Sequence, residues 1–193
     1  MKKIEILEGN YIYLGEYPQN RTVPEPIKWR VLKNENGALT VIADAILCNG
    51  DFDIKYSEYK TSRVREFLLK EFFPTAFTQE EQSLILETDL GDGINDKIYI
   101  PAVDDIKDLT REQRIRKITP YSYSKKASGY PVFYKSDKVY ENNGWYWTRT
   151  PYKPPYDPKR NNHVWYVIYN GGIEERAVWG YDIGIVPMMR VKV

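Results

Sequence analysis

Hydrophobic and polar positions alternate at both ends of the chain and recur at helical spacing in its middle, and that change of period predicts the architecture. In the first third, residues 4–7 and 11–14 flank Gly9-Asn10, a hairpin signature. Residues 15–20 then read as a loop. Residues 26–33 alternate, with Ile27, Trp29 and Val31 on one face and Lys28, Arg30 and Leu32 on the other. Asn34-Glu-Asn-Gly37 turns the chain into residues 38–47, an apolar run long enough for a central strand that ends at Cys48.

The period then lengthens. Ser62 is placed to N-cap a helix running to about residue 72, with Val64, Phe67, Leu68 and Phe72 on one stripe and Glu66 and Lys70 paired outward. Pro74 is expected to stop it. Thr78-Gln-Glu-Glu81 is a capping box that opens a second helix to about residue 86. Residues 97–101 read as a short strand. Thr110-Arg-Glu-Gln113 repeats the box, and Thr119-Pro120 predicts a helix over 120–127 closed by Gly129.

Alternation returns at residue 144. In strand geometry Trp145, Trp147 and Arg149 share one face, and Tyr146, Thr148 and Thr150 the other. The stretch 152–162 carries too many prolines to be anything but an exposed loop. Residues 163–169 and 173–179 around Asn170-Gly171-Gly172 are the clearest hairpin in the chain. Residues 183–193 close the fold, with Pro187 marking an edge or a bulge. Strands, then helices, then strands predict one α+β domain over residues 1–193, in which N- and C-terminal strands share antiparallel sheet and helices are inserted between.

Composition narrows the function classes. Twenty-eight Lys+Arg against 27 Asp+Glu leave a charge of +1, which argues against a general nucleic-acid or membrane-surface binder. The first residues carry an acid inside a short apolar run, unlike a signal peptide, and no run approaches the ~18–20 residues of a membrane span. A cytoplasmic setting is expected, and a virion protein would look the same. One cysteine, Cys48, and one histidine, His163, leave little for a disulfide, a zinc site or a Cys–His nucleophile pair, and Cys48 reads as a small buried hydrophobe. No metal and no cofactor are expected. Residues 89–96 gather oxygen ligands around glycines, but without the spacing of a calcium loop, so a polar turn is the simpler reading. Asp104, Asp105 and Asp108 are explained by a helix N-terminus, and Glu174 and Glu175 as exposed hairpin residues. Arg30, Arg65 and Arg149 sit in apolar surroundings, where stacking or carboxylate pairing outweighs ligand contact.

Several short motifs occur in a fixed order: Tyr17-Pro18-Gln19, Trp29-Arg30-Val31-Leu32, Ser62-Arg63-Val64-Arg65, Asp96-Lys97-Ile98 and Trp145-Tyr146-Trp147-Thr148-Arg149-Thr150-Pro151. In these the chain, from about residue 11 to its end, resembles the uncharacterised bacterial and phage family called domain of unknown function 6273. That family's sequences carry a Trp-Trp-Leu-Arg-Ser-Pro signature and a closing Gly-Val-Arg-Pro. Here the closing motif reads Gly184-Ile185-Val186-Pro187, without the arginine, and Arg190 is not in register to replace it. The pattern is also similar to C-type-lectin-like folds, a likeness of pattern that implies nothing about activity.

These readings favour a non-catalytic recognition domain that presents aromatic loops to a glycan or protein. The alternative is a hydrolase or other enzyme of unrecognised type, with carboxylates drawn from separated segments. The expected working surface is the loop 152–162 beside the turn 170–172. Tyr152, Tyr156, Lys159, Arg160 and His163 are its candidate ligand contacts, and Trp147 and Arg149 support its base.

Overall fold

The computed structural model describes residues 4–20, 22–124, 142–157, 159–180 and 183–193. In chain order the strands β1 (Tyr11–Pro18), β2 (Pro24–Glu35), β3 (Ala38–Ala43), β4 (Ala45–Ile46) and β5 (Cys48–Asn49) come first. The middle of the chain holds α1 (Arg63–Phe67), a π turn (Leu68–Phe72), α2 (Phe73–Ala76), α3 (Gln79–Leu84), β6 (Ile85–Leu86), β7 (Thr88–Asp89), β8 (Asn95–Asp96), α4 (Val103–Ile106), α5 (Arg111–Arg114), β9 (Lys117–Ile118) and α6 (Pro120–Ser124). The last third is β10 (Tyr146–Pro151), β11 (His163–Val167), β12 (Ile173–Ala177), β13 (Gly184–Ile185) and β14 (Met188–Lys192).

Two five-stranded sheets carry the fold, in the orders β1-β2-β3-β14-β6 and β12-β11-β10-β13-β5. Each joins strands from opposite ends of the chain, and within them only β10 and β13 pair in parallel. The fold is α+β as predicted. One hydrophobic cluster runs through both sheets, from Ile12 to Val191. No helix among the described residues is long and apolar enough to cross a membrane.

Most elements lie where the hydrophobic pattern put them, and the differences have physical causes. Gly15 does not open a loop. Instead β1 bends there and continues to Pro18, with its ladder to β2 shifted between Tyr13 and Glu16. Gly15 has φ +72°, and a Cβ would meet Ala76 O and the Phe77 ring at 2.6 Å, so the bend lets α2 press onto the strand. Before it, the expected hairpin is reduced to a single bridge between Leu7 and Tyr11. The apolar run 38–47 is interrupted at Asp44, which turns outward to pair with Lys28 and Arg30.

Pro74 does not end its helix. A proline lacks an N–H and crowds the carbonyl four residues before it. The backbone widens to π geometry just ahead, where Phe73 N–H donates to Leu68 O, and stays helical to Ala76. The Thr78–Glu81 box forms, but its helix ends at Leu84 because Ile85 and Leu86 pair with β14. Residues 97–101 make only a bridge from Tyr99 to Met188, although Ile98, Tyr99 and Ile100 are buried. Pro187 marks neither an edge nor a bulge: the chain crosses there from one sheet to the other, and β14 lies between β3 and β6. The Thr119 cap forms, with Ser122 N–H donating to its hydroxyl, while the predicted closure at Gly129 lies outside the described residues.

Candidate binding surface

β10 and β11 end together, and the 152–162 loop is closed at its base by Tyr152 N–H donating to His163 O at 2.9 Å. The Tyr152 ring stands edge-on to Trp165, centroids 4.9 Å apart, so it is packed against the sheet rather than held outward. Pro154 is buried, and two turns, Asp157 N–H to Pro154 O and Arg160 N–H to Asp157 O, coil the rest. That geometry leaves Tyr156 78% exposed, with Lys159 exposed beside it.

Arg160 folds back over the sheet. Its Nη2 lies 2.8 Å from His163 Nε2, and its Nη1 donates to the Tyr156 hydroxyl at 3.4 Å. On the far side of the imidazole, Nδ1 is 2.8 Å from Asn162 Oδ1. Glu175 approaches Nε2 to 3.5 Å, and the Trp179 ring packs edge-on against the imidazole. His163 and Glu175 come together because β11 and β12 pair in the register His163 to Ala177 and Trp165 to Glu175, which puts both on one face. Burial and the neighbouring guanidinium lower the His163 pKa below its usual value, while Glu175 acts the other way.

A segment that the sequence did not single out completes this surface. Phe52 and Asp53 N–H groups both donate to Val178 O, and Ser57 N–H donates to Asn161 O at 2.6 Å. Asp53 Oδ2 accepts from Lys55 and Tyr56 N–H, which tightens the intervening turn. Ile54 (59% exposed) and Tyr56 (41%) are thereby carried next to Trp179 (43%) and the 152–162 loop. Ile54 and Tyr56 carry no expectation from the sequence, while Glu175, expected as an exposed hairpin residue, is exposed and stands beside His163, and Trp179 joins the surface although it was not among the expected contacts. Trp179, the last residue of the predicted strand 173–179, was the only signal for this part of the surface.

The turn 170–172 is not part of the surface. It lies at the other end of β11, where Gly171 is buried against α5 and its carbonyl accepts from Arg114 Nε at 2.8 Å. Trp147 is fully buried, its Nε1 donating to Gly50 O at 2.8 Å. Arg149 donates to Ile100 O and to Asp105 Oδ2 at 2.7 Å, with Tyr99 beneath its guanidinium. Arg65 and Arg30 are paired likewise, to Asp96 and Asp44.

The other candidates resolve into structural roles. Asp96 is occupied by Arg65, and Asp89 Oδ1 accepts from Gly91 N–H within the β7–β8 turn. Among the described residues no group of His, Cys, Asp and Glu is arranged to hold a metal ion. The Cys48 thiol is buried, and burial alone drives its pKa upward, the opposite of an activated nucleophile. Gly184 is required where β13 crosses, since a Cβ would meet Ile46 Cγ2 at 2.4 Å. Val186, at the place of the missing motif arginine, is fully buried, so in this chain the position belongs to the core.

No curated protein and no solved structure matches the chain. A family model does match, over residues 36–193, which covers the β3-to-β14 body and leaves the Tyr17-Pro18-Gln19 and Trp29-Arg30 motifs outside it. The chain belongs to the family described as domain of unknown function DUF6273.

Proposed function

We propose that the protein is a non-catalytic recognition domain whose partner, a glycan or protein, seats on the surface formed by Ile54, Tyr56, Tyr156, Arg160 and Trp179. One observation carries this reading. Four of the large hydrophobic side chains that are exposed stand on three loops tied to one another by backbone hydrogen bonds. Exposed apolar side chains scattered singly need no explanation, whereas a group of them rimmed by polar residues marks an interaction site. Tyr and Trp supply broad, stiff contact area, and Arg160 with His163 supplies directional polar contacts between them. The hydrolase alternative needs two carboxylates tuned apart in one cleft. Asp51 is raised by burial, but Glu66 beside the same cleft is an exposed partner of Lys70, an ordinary pair on a solvated helix face.

The test pairs binding with stability. Wild type and a Tyr156→Ala, Trp179→Ala double variant are compared on a glycan array and on a displayed peptide library. Binding lost in the double variant at an unchanged melting temperature supports the surface. Binding retained by it, or no specific hit in either format, removes the proposal.

A further inference from the structure

A cavity of about 200 Å³ opens on the first sheet and shares no lining residue with the recognition surface. Strand register builds it. Lys33 of β2, Thr40 of β3, Arg190 of β14 and Leu86 of β6 are successive partners across four strands, so their side chains stand in one row on one face. Side chains directly opposite each other in such a row are about 5 Å apart. Tyr99, bridged to Met188, and Asp105 of α4 wall the cavity, and Leu32 and Met188 give it an apolar lining. Its volume suits a ligand of a few heavy atoms rather than a drug-sized one.

Arg190 differs from the other half-buried arginines. Arg30, Arg65 and Arg149 each donate to a carboxylate, and Arg114 donates to backbone carbonyls. Arg190 is half-buried in a strand with a neighbour on both sides, yet among the described residues its guanidinium has neither a hydrogen bond nor an ion pair. A guanidinium cannot shed its proton, and its N–H groups can only donate. Drawn partly out of water without an acceptor, such a group costs stability, and an exception of that kind in a native fold calls for a cause. The Thr40 hydroxyl, next in the row, likewise makes no hydrogen bond among the described residues. Neither group is sealed in. Both residues are partly exposed, and both line the cavity.

We infer that this cavity binds the carboxylate of a small organic acid, which accepts from the Arg190 guanidinium and the Thr40 hydroxyl. The donors set the class first. A guanidinium offers two parallel N–H groups that match the two oxygens of a carboxylate, and the row places a hydroxyl donor beside it. The surrounding acids then limit the charge. Asp105 is spent on Arg149 Nη1 and Ala102 N–H, both at 2.7 Å, which leaves Lys33 and Arg190 against Glu35, an excess of one positive charge. A singly charged carboxylate cancels that excess. A phosphate dianion exceeds it, and does so beside two carboxylates. Leu32, Tyr99 and Met188 receive the carbon skeleton.

The inference does not rest on the recognition surface. Butyrate, butyramide and inorganic phosphate are titrated into the full chain at about pH 7 and constant ionic strength, and backbone amide shifts are followed by NMR. Saturable shifts are expected with butyrate, centred on Thr40 and Arg190, and not with butyramide, which has nearly the same shape and no charge. Arg190→Gln should weaken butyrate about tenfold or more, the scale of one hydrogen bond to a charged group. Arg190→Lys keeps the charge and loses the fork, and should fall between the two. Thr40→Val keeps a β-branched side chain in the strand, removes only the hydroxyl, and should weaken binding by a smaller factor than Arg190→Gln. Equal shifts with butyramide, tighter binding of phosphate than of butyrate, no saturation by butyrate up to about 50 mM, or unchanged affinity in the Arg190 and Thr40 variants would overturn the inference.

Discussion

Arg160 Nη2 lies 2.8 Å from His163 Nε2, and that contact fixes the state of the imidazole. A guanidinium can only donate, so Nε2 accepts and must be unprotonated. The proton then sits on Nδ1, which donates to Asn162 Oδ1 at 2.8 Å. The only histidine of the chain is therefore neutral in the folded state, with Glu175 waiting 3.5 Å from the nitrogen that would take a second proton.

Acid should act on this contact. The folded pKa of His163 is depressed, chiefly by burial and by Arg160, below the ~6.5 of an unfolded histidine. Between those two values the unfolded chain binds a proton that the folded chain does not, so stability rises with pH. The contribution is complete above about pH 6.5 and is lost as the pH falls toward the folded value. Melting temperatures of wild type and His163→Gln, taken between about pH 7.5 and 5.5, should show a steeper acid loss in wild type. Equal slopes would mean that His163 titrates as freely folded as unfolded. Protonation also turns Nε2 from acceptor to donor, so it should release Arg160 toward solvent and pair the ring with Glu175.

Trp147 and Tyr156 should separate core from surface. Trp147→Ala removes a fully buried indole that packs on Phe52 and Tyr166 and holds the Gly50 carbonyl. A loss of about 3–5 kcal/mol is expected, read as a lower midpoint in urea unfolding. Tyr156→Ala touches little besides Arg160 and should stay within about 0.5 kcal/mol of wild type. Tyr152→Ala belongs with the first, since its ring is packed on Trp165. A Tyr152 variant as stable as the Tyr156 variant would contradict that packing.

The strands and caps were legible because they depend on local pattern. Ile27, Trp29 and Val31 do line one face of β2, and the Thr78 and Thr110 boxes form as written. What escaped depends on partners distant in the chain. Arg116 is fully buried and donates to the carbonyls of Ala43, Gln113 and Ile115, yet nothing near it in sequence marks it as core. The loop 152–162 was visible from its prolines, but its true neighbours were not. The turn 170–172 is near it in sequence and sits at the opposite end of β11. Residues 53–57 are a hundred positions away, have no periodicity to read, and are delivered to it by hydrogen bonds to Asn161 and Val178.

Arg65 and Asp96 offer a direct test of a buried pair. Asp96 is 2% exposed and accepts from Arg65 Nε and Nη2, both at 2.8 Å. Arg65→Leu strands the carboxylate in the interior and should cost about 3–5 kcal/mol. Adding Asp96→Asn removes the stranded charge, so the double variant should recover part of that loss. Chemical denaturation of wild type, Arg65→Leu, Asp96→Asn and the double variant gives the coupling. A double variant no more stable than Arg65→Leu would show that Arg65 acts through Lys60 O, its other partner, rather than through Asp96.

Gly171 and Gly37 share a backbone conformation and differ in surroundings, which lets strain and close approach be measured apart. Their φ angles are +76° and +71°. At Gly37 a Cβ would meet nothing within 4 Å, whereas at Gly171 it would fall 2.0 Å from Arg111 O and 2.6 Å from Arg111 C. Both alanine variants incur the left-handed penalty of about 1–2 kcal/mol. Only Gly171→Ala must also push α5 off the β11–β12 turn, stretching the Arg114 Nε to Gly171 O contact, and overpacking of that kind adds about 1–3 kcal/mol. Gly171→Ala should therefore melt well below Gly37→Ala. Amide exchange should show where the difference arises, with faster exchange at Arg114 and Ile115 N–H, which close α5 onto Thr110 O and Arg111 O. Equal melting of the two variants would mean that α5 yields without cost, and that the turn is not what holds it against the second sheet.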